Sequence, residues 1–400
     1  MNLYKHKFRT GVYMKKNIYY LIVFSILIAF LSFNNVFASS QDSQMRAYFD
    51  EEMNNTDYSI VKAKIENIEY DDTKEKRDIP LEADIRYQHL NIVILNGKFK
   101  GEKLTIRHTI ERIMPGNYIF KAGDKIILRI TQTDGNIDTV KIEERVRDTQ
   151  VILIIILFIA LLLIFGRLSG LKTLISLVFT LAMILLVYIP LIIKGFNPIF
   201  SSVIISIISI IVTLLIISGK SKKTIVAIIG TSTGVIIAGT LAVCFGKFAS
   251  LTGLADDNAI SLAYIPHYRK LDYEGILFGT ILIGAIGAIM DVAISIASSI
   301  WELKEVNPDI TKKEMIKSGM NIGRDILGSM SNTLILAYVG TTLHLIILFM
   351  VYKVYLVEII NLDSIATEII RAMAGSIGLI VTIPLTVIIG TNIYLKNKNE

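Results

Sequence analysis

Four hundred residues, 52% hydrophobic and only 19% charged at a mean hydropathy of +0.57, exclude a disordered or fibrous chain and a soluble protein of ordinary composition. The net charge of +6 is not a nucleic-acid surface: residues 1–38 hold five basic and no acidic groups, residues 39–150 hold 18 and 21, and residues 151–400 hold 18 and 14. No water-facing region is basic, so no nucleic-acid partner is expected. The one cysteine, Cys244, sits inside an apolar run, which leaves no disulfide to staple an exported part.

The chain opens with Lys15 and Lys16, an apolar run from Ile18 to Phe33 and then Val36-Phe37-Ala38. These are the three parts of a secretory signal peptide, residues 1–38, cut after Ala38. Residues 14–38 alone make a complete signal, so Met14 is an alternative start; an uncleaved anchor is the other reading. Residues 39–149 then form the expected exported domain, polar at first and alternating from Tyr58 onward. Alternating runs lie at Tyr58–Glu69, Asp84–Leu95, Lys103–Ile110, Asp124–Thr133 and Ile137–Glu143, separated by Asn96-Gly97, Pro115-Gly116-Asn117, Gly123 and Asp134-Gly135-Asn136. Five short strands with such turns predict a small all-β unit, an OB-like barrel or a sandwich. His89 and His108 stand alone, without neighbours at metal-ligand spacing, and read as ordinary core or surface histidines. Lys98, Lys100 and Lys103 read as a solvated face beside a turn.

Residues 150–400 predict an α-helical polytopic membrane domain. Apolar runs fall at Gln150–Phe165, Leu171–Ile193, Ile199–Ser218, Thr224–Phe245, Ile276–Trp301, Ile326–Tyr352 and Ile369–Leu395. That makes seven spans after signal cleavage, each near the roughly 20 residues that cross the hydrocarbon. With residues 39–149 outside, inner loops hold 12 Lys and Arg and outer loops 6. The bias predicts an extracytoplasmic N-terminal domain and a cytoplasmic C-terminus. In the loop before the fifth run, Ala255-Asp256-Asp257-Asn258 predicts a capped short helix to Tyr264, ahead of Pro266. Asn307-Pro308-Asp309-Ile310-Thr311 predicts a turn into an amphipathic helix at the membrane surface. Pro190 and Pro384 predict kinks in the second and seventh spans.

The chemistry concentrates in the fifth and sixth runs. Thr280, Gly284, Gly287, Asp291, Ser295, Ser298 and Glu302 recur every three or four residues, as do Asn321, Asp325, Gly328, Ser329 and Asn332. Each set lies on one helix face. Glycine and serine explain themselves as close-packing residues; Asp291 does not. It lies ten residues before Trp301, about 15 Å from the helix end, where a charge costs roughly 2.5–3.5 kcal/mol against lipid. It must protonate, take a cation or face water. Asp291, Asn332, Asp325 and Ser295 are therefore the candidate coupling or transport residues, and Asp291 is expected to meet Asn332 near mid-membrane. Glu302 and Arg324, with Asp325, are expected to gather as a charge cluster at the inner edge. The alternative is a buried structural carboxyl hydrogen-bonded to Asn332 or Ser295. The fourth run, with Gly230-Thr231-Ser232-Thr233-Gly234 and Gly239-Thr240, reads as a close-packing face.

Two stretches carry a resemblance. Gly287-Ala288-Ile289-Met290-Asp291-Val292-Ala293-Ile294-Ser295-Ile296-Ala297-Ser298-Ser299 with Trp301-Glu302-Leu303, and Gly323-Arg324-Asp325-Ile326-Leu327-Gly328-Ser329-Met330-Ser331-Asn332-Thr333-Leu334-Ile335-Leu336-Ala337-Tyr338, resemble the YibE/F-like family of bacterial multi-pass membrane proteins. The resemblance implies a bacterial plasma-membrane location and brings no settled substrate or reaction. Ser329 and Ser331 stand where threonines are expected. No Walker A loop, His-Glu-x-x-His or Gly-x-Gly-Asp is present, so neither an enzyme nor a cofactor is expected. The leading expectation is a permease-like protein that moves a small solute or ion, with proton or cation coupling at Asp291. The alternative is a membrane-embedded accessory, scaffold or sensor whose exported domain binds a membrane protein partner. The lipid bilayer is a partner in both.

Overall fold

The computed structural model describes residues 57–75, 84–111, 118–133, 136–266 and 268–395. The expected signal peptide, the polar stretch before residue 57, the Pro115-Gly116-Asn117 and Asp134-Gly135 turns, Lys396 and Lys398 lie outside them. The chain divides into two units at Leu161/Leu162, and each is described by itself.

The first unit is one five-stranded antiparallel sheet: β1 (Asp57–Asp71), β2 (Ile85–Ile94), β3 (Lys103–Glu111), β4 (Lys125–Thr133) and β5 (Asn136–Arg145), in the order β3-β2-β1-β4-β5. The long β1 serves both sides. Its first half pairs with β4 through Lys64↔Lys125, its second half pairs with β2 from Ala63↔Ile94, and the β1–β2 register shifts at Ile65/Asn67 and Ile68/Tyr70. Such irregularities bend a strand, and the sheet curls into a nearly closed barrel. Of the two expected forms this is the barrel; there is no second sheet among the described residues for a sandwich.

Alternation decides what the barrel encloses. Val61, Ala63 and Ile65, Leu90, Ile92 and Ile94, and Ile126, Leu128 and Ile130 are all no more than 2% exposed. At one end the inward row of β2 turns polar. Gln88 donates to the Phe120 carbonyl at 3.1 Å and accepts from the Phe120 amide at 2.9 Å, so its amide replaces a strand partner. Arg86 is buried against Asp84 at 2.5 Å and donates to the Asp72 and Glu75 carbonyls at 2.9 Å. Every buried polar group there is answered by another, as a low-dielectric interior requires. Gly97 turns with φ +81°, and a Cβ there would lie 2.8 Å from Val61 Cγ1.

Helix α1 (Asp148–Met183) begins in the first unit and, from Leu162, belongs to the second, where it runs into a π-helical turn (Ile184–Tyr188) and α2 (Ile189–Ile193). There follow α3 (Pro198–Ser218), α4 (Lys222–Phe248), the short α5 (Asp257–Tyr264), α6 (Tyr273–Val306), α7 (Lys312–Tyr352), the short α8 (Leu356–Asn361) and α9 (Asp363–Leu395). Among the described residues six helical stretches are long and apolar enough to cross a membrane. The first, Asp148–Ile193, holds both of the first two expected runs. Its 46 residues are broken at Arg167, where φ is +46° and ψ −127°. A Cβ at Gly170 would overlap the Leu162 carbonyl, although eight residues of unbroken helix rise about 12 Å. The chain therefore doubles back at Arg167, between the two runs.

α4, α6 and α9 form the centre. Small residues recur every fourth position on α4 (Gly230, Gly234, Ala238, Ala242) and on α9 (Ala374, Gly378, Thr382, Thr386, Gly390). Gly230 faces Thr386, Gly234 faces Thr382, Gly378 faces Ala238, and Gly390 faces Val226. Each step of four along one helix is a step of four back along the other, so they are antiparallel and nearly in backbone contact. This is the close-packing face expected of the fourth run. Gly375 lies against Ala285 and Gly390 against Ile300, which sets α9 parallel to α6. Lys172 donates to the Ile217 carbonyl at 3.4 Å and Thr180 lies 3.4 Å from Thr213, so the segment after Arg167 runs antiparallel to α3.

Three local expectations resolve individually. α5 starts at Asp257 behind its cap Asp256, which accepts from the Asn258 amide at 3.0 Å, and ends at Tyr264, as expected. Pro190 follows the π-helical turn, where the Ile189 amide reaches Ile184, five residues back. The wider turn absorbs a ring that cannot donate to Leu186. By contrast α9 runs unbroken through Pro384. The amphipathic surface helix is also corrected. Thr311 and Glu314 form a capping box, but the helix they start continues as the sixth span to Tyr352. Met315, Gly319 and Gly323 are buried in it; nothing between them breaks the turn, and Gly323 packs under Ile383.

Candidate functional site

α6 is capped by Asp272, which accepts from the Gly275 amide at 2.8 Å. Its apolar face, including Ile289, Val292, Ala293 and Ile296, is fully buried. The opposite face carries the polar stripe. Thr280, Gly284, Gly287, Asp291, Ser295 and Glu302 are exposed and Ser298 half-buried. On α7, Asn321, Arg324, Asp325, Gly328, Ser329 and Asn332 are exposed as well.

The contacts between the two helices fix their relative height. Gly319 packs on Ile300, Gly323 on Ile296, and Tyr338 Oη would lie 3.2 Å from a Cβ at Gly284. Interpolating along this antiparallel pair places Asp291 level with Ser329. Asp325 is then about 6 Å away along the axis and Asn332 about 4.5 Å in the other direction. The expected meeting of Asp291 with Asn332 thus holds in height, but no hydrogen bond forms between them. Asp291 makes no hydrogen bond or ion pair with any described residue, and neither does Asp325. A Cβ added at Gly287 or Gly328 would meet nothing within 4 Å. The carboxylate therefore stands on an open, glycine-bordered face, not inside a packed core. The hydrogen bonds to Asn332 or Ser295 that the structural-carboxyl alternative calls for are not formed among the described residues.

The expected inner-edge cluster is rearranged. Glu302 pairs with Lys223 at the start of α4, at 3.5 Å, and Arg324 donates to Asn321 at 3.2 Å. The reason is height: Glu302 lies beyond the Ile300–Gly319 contact, more than a helical turn from Arg324. Both cations are engaged away from Asp291, which leaves its charge without a fixed counter-ion.

Sequence reasoning missed a second group. Glu368 and Arg371 pair at 3.5 Å on α9, and both interact electrostatically with Tyr338 of α7. α9 starts at Asp363, six residues before the expected run, and carries both Glu368 and Arg371 within the helix. Since Gly375 is level with Ala285 and Tyr338 with Gly284, this group lies on the N-terminal side of Asp291 along α6. The Glu368-x-x-Arg371 spacing was its available signal. An accessible carboxyl at mid-helix, with small residues around it and no permanent partner, can bind and release a proton or a cation.

The profile described as YibE/F-like protein matches residues 154–396, and that of the YibE/F family N-terminal domain matches residues 57–145. No curated protein matches the chain, and no solved structure does. The two profiles cover the curled sheet and the helical unit alike, with Asp291 and Asn332 inside the longer one: the chain belongs to the YibE/F-like family.

Proposed function

We propose that the protein is a permease-like membrane protein that moves a small solute or ion, coupled to a proton or cation at Asp291. The observation that carries the reading is the open face of α6 on which Asp291 stands unpartnered. Lipid tails cannot solvate an ionised carboxylate, at a cost of roughly 2.5–3.5 kcal/mol or more, so water must reach it when it is charged. Gly284, Gly287, Gly328 and Ser329 leave room for that water, and Asn332 and Asp325 lie within about a helical turn to share a bound cation. The 12-to-6 loop bias and the antiparallel run of α4 and α7 against α6 and α9 support a β unit outside the bacterial plasma membrane and a C-terminus inside. No enzymatic activity forms part of the proposal.

Proteoliposomes with an entrapped pH-sensitive dye test it. An imposed gradient of sodium, potassium or magnesium ions, or of protons alone, is expected to move the dye signal with the native chain. Asp291→Asn should abolish that response while leaving a folded protein. An unchanged response in the variant contradicts the coupling role. A second reading, a scaffold whose β unit docks a partner, is favoured by Tyr58 and Ile60, which are 46% and 58% exposed on β1. A stoichiometric co-purifying protein lost on Ile60→Asp, together with a silent dye, would select it.

A further inference from the structure

Within the β unit a cavity of about 430 Å³ opens where the barrel ends and α1 begins, lined by Asp124, Lys125, Arg145, Arg147, Thr149 and Gln150 among others. We propose that it binds a phosphate-bearing anion at the membrane surface, either the headgroup of an anionic glycerophospholipid or free phosphate. The lining holds three cations and one carboxylate. Arg145 is paired with Asp124, and Arg147 donates to Glu144 at 2.6 Å and to Tyr118 Oη at 2.5 Å. A guanidinium has five N–H groups, so both arginines keep donors for a further acceptor. Lys125 is exposed and makes no ion pair with a described residue. Asp148, at the start of α1, is neutralised by Lys62, and the other two carboxylates, Asp124 and Glu144, are each paired with an arginine, which leaves Lys125 in excess.

Thr149 and Gln150 line the cavity, and the uninterrupted apolar run of α1 starts at the next residue, Val151. A cavity in covalent continuity with the first apolar turn lies at headgroup depth, where lipid phosphates are concentrated. The arginine pair fixes orientation, and Lys125 adds an unshared charge.

The test uses the full chain in detergent, read by native mass spectrometry and by thermal unfolding. Phosphatidylglycerol is expected to be retained at least tenfold over phosphatidylcholine, and the preference should fall to near unity in Lys125→Glu and in Arg147→Gln. Lys125 is exposed and unpaired, so its variant keeps the fold and the assay stays decisive. Retained phosphatidylglycerol that millimolar inorganic phosphate fails to displace identifies the lipid as the source. Stabilisation by inorganic phosphate without lipid preference, lost in the same variants, identifies free phosphate. No preference and no phosphate effect, or effects undiminished in both variants, would overturn the proposal.

Discussion

Asp291 and Arg86 are both charged residues on elements with a buried apolar face, and the fold treats them oppositely. Arg86 is 2% exposed, and its guanidinium is answered by Asp84 and two carbonyls. Replacing it, Arg86→Met, takes the buried guanidinium from Asp84 and from the Asp72 and Glu75 carbonyls and should cost about 3–5 kcal/mol of β-unit stability, read by hydrogen exchange of β2 in the whole protein. His108 adds a pH dependence. It donates to the Tyr118 carbonyl at 2.8 Å and packs 4.8 Å from Phe120, and burial pushes its imidazole below 6.5 against the pull of that hydrogen bond. The unfolded chain then binds the proton more readily than the folded one. Stability should fall as pH drops through 6.5 and level off below the folded value, and His108→Gln should remove the step. Asp71 acts in a separate, more acidic window. Burial pushes its carboxyl up, but the Thr73 hydroxyl and amide and Gln88 hold it below 3.8 overall. Its contribution is lost only as pH falls through that carboxylate range. Of these residues only Asp291 was readable beforehand as chemistry. Arg86 and Gln88 alternate in phase with Leu90, Ile92 and Ile94, so their inward placement was legible, but apart from Asp84 their partners, mostly backbone groups, lie 11 to 32 residues away.

At the scale of elements, periodicity was the dependable signal and partnership was not. All five strands fall within two residues of their alternating runs, because alternation and turn glycines act locally. The helical stripes of α6 and α7 were equally plain. Which helix α4 would meet was not, because a ladder of small residues says only that something approaches closely. Its match with α9 yields a graded prediction. Gly234→Val would drive a side chain into Thr382 and Ile289 and should destabilise the helical unit by about 1–3 kcal/mol or more, measured by thermal unfolding in detergent. Gly287→Ala and Gly328→Ala meet nothing within 4 Å and should not lower the unfolding temperature. The Glu302–Lys223 pair, 79 residues apart, shows why the inner-edge cluster was misassigned: its sequence neighbours were the wrong candidates.

For the whole molecule, the division into a β unit and a helical bundle followed from composition, since after the run at Ile18–Phe33 the apolar runs resume only at Val151. The open face of α6 did not, because the hydrophobic pattern shows which side is polar but not what covers it. The account rests on water reaching that face at mid-membrane. Thiol labelling decides this directly, because membrane-impermeant methanethiosulfonate reagents attack thiolate, which needs water. In a Cys244→Ser background, Asp291→Cys and Gly328→Cys should be labelled in intact membranes. Ile236→Cys, 45% exposed on α4, and Val292→Cys, fully buried on α6, serve as the lipid-facing and packed controls and should not react. Labelling at position 291 well above both controls is the predicted result; position 291 as unreactive as Ile236→Cys would contradict the account.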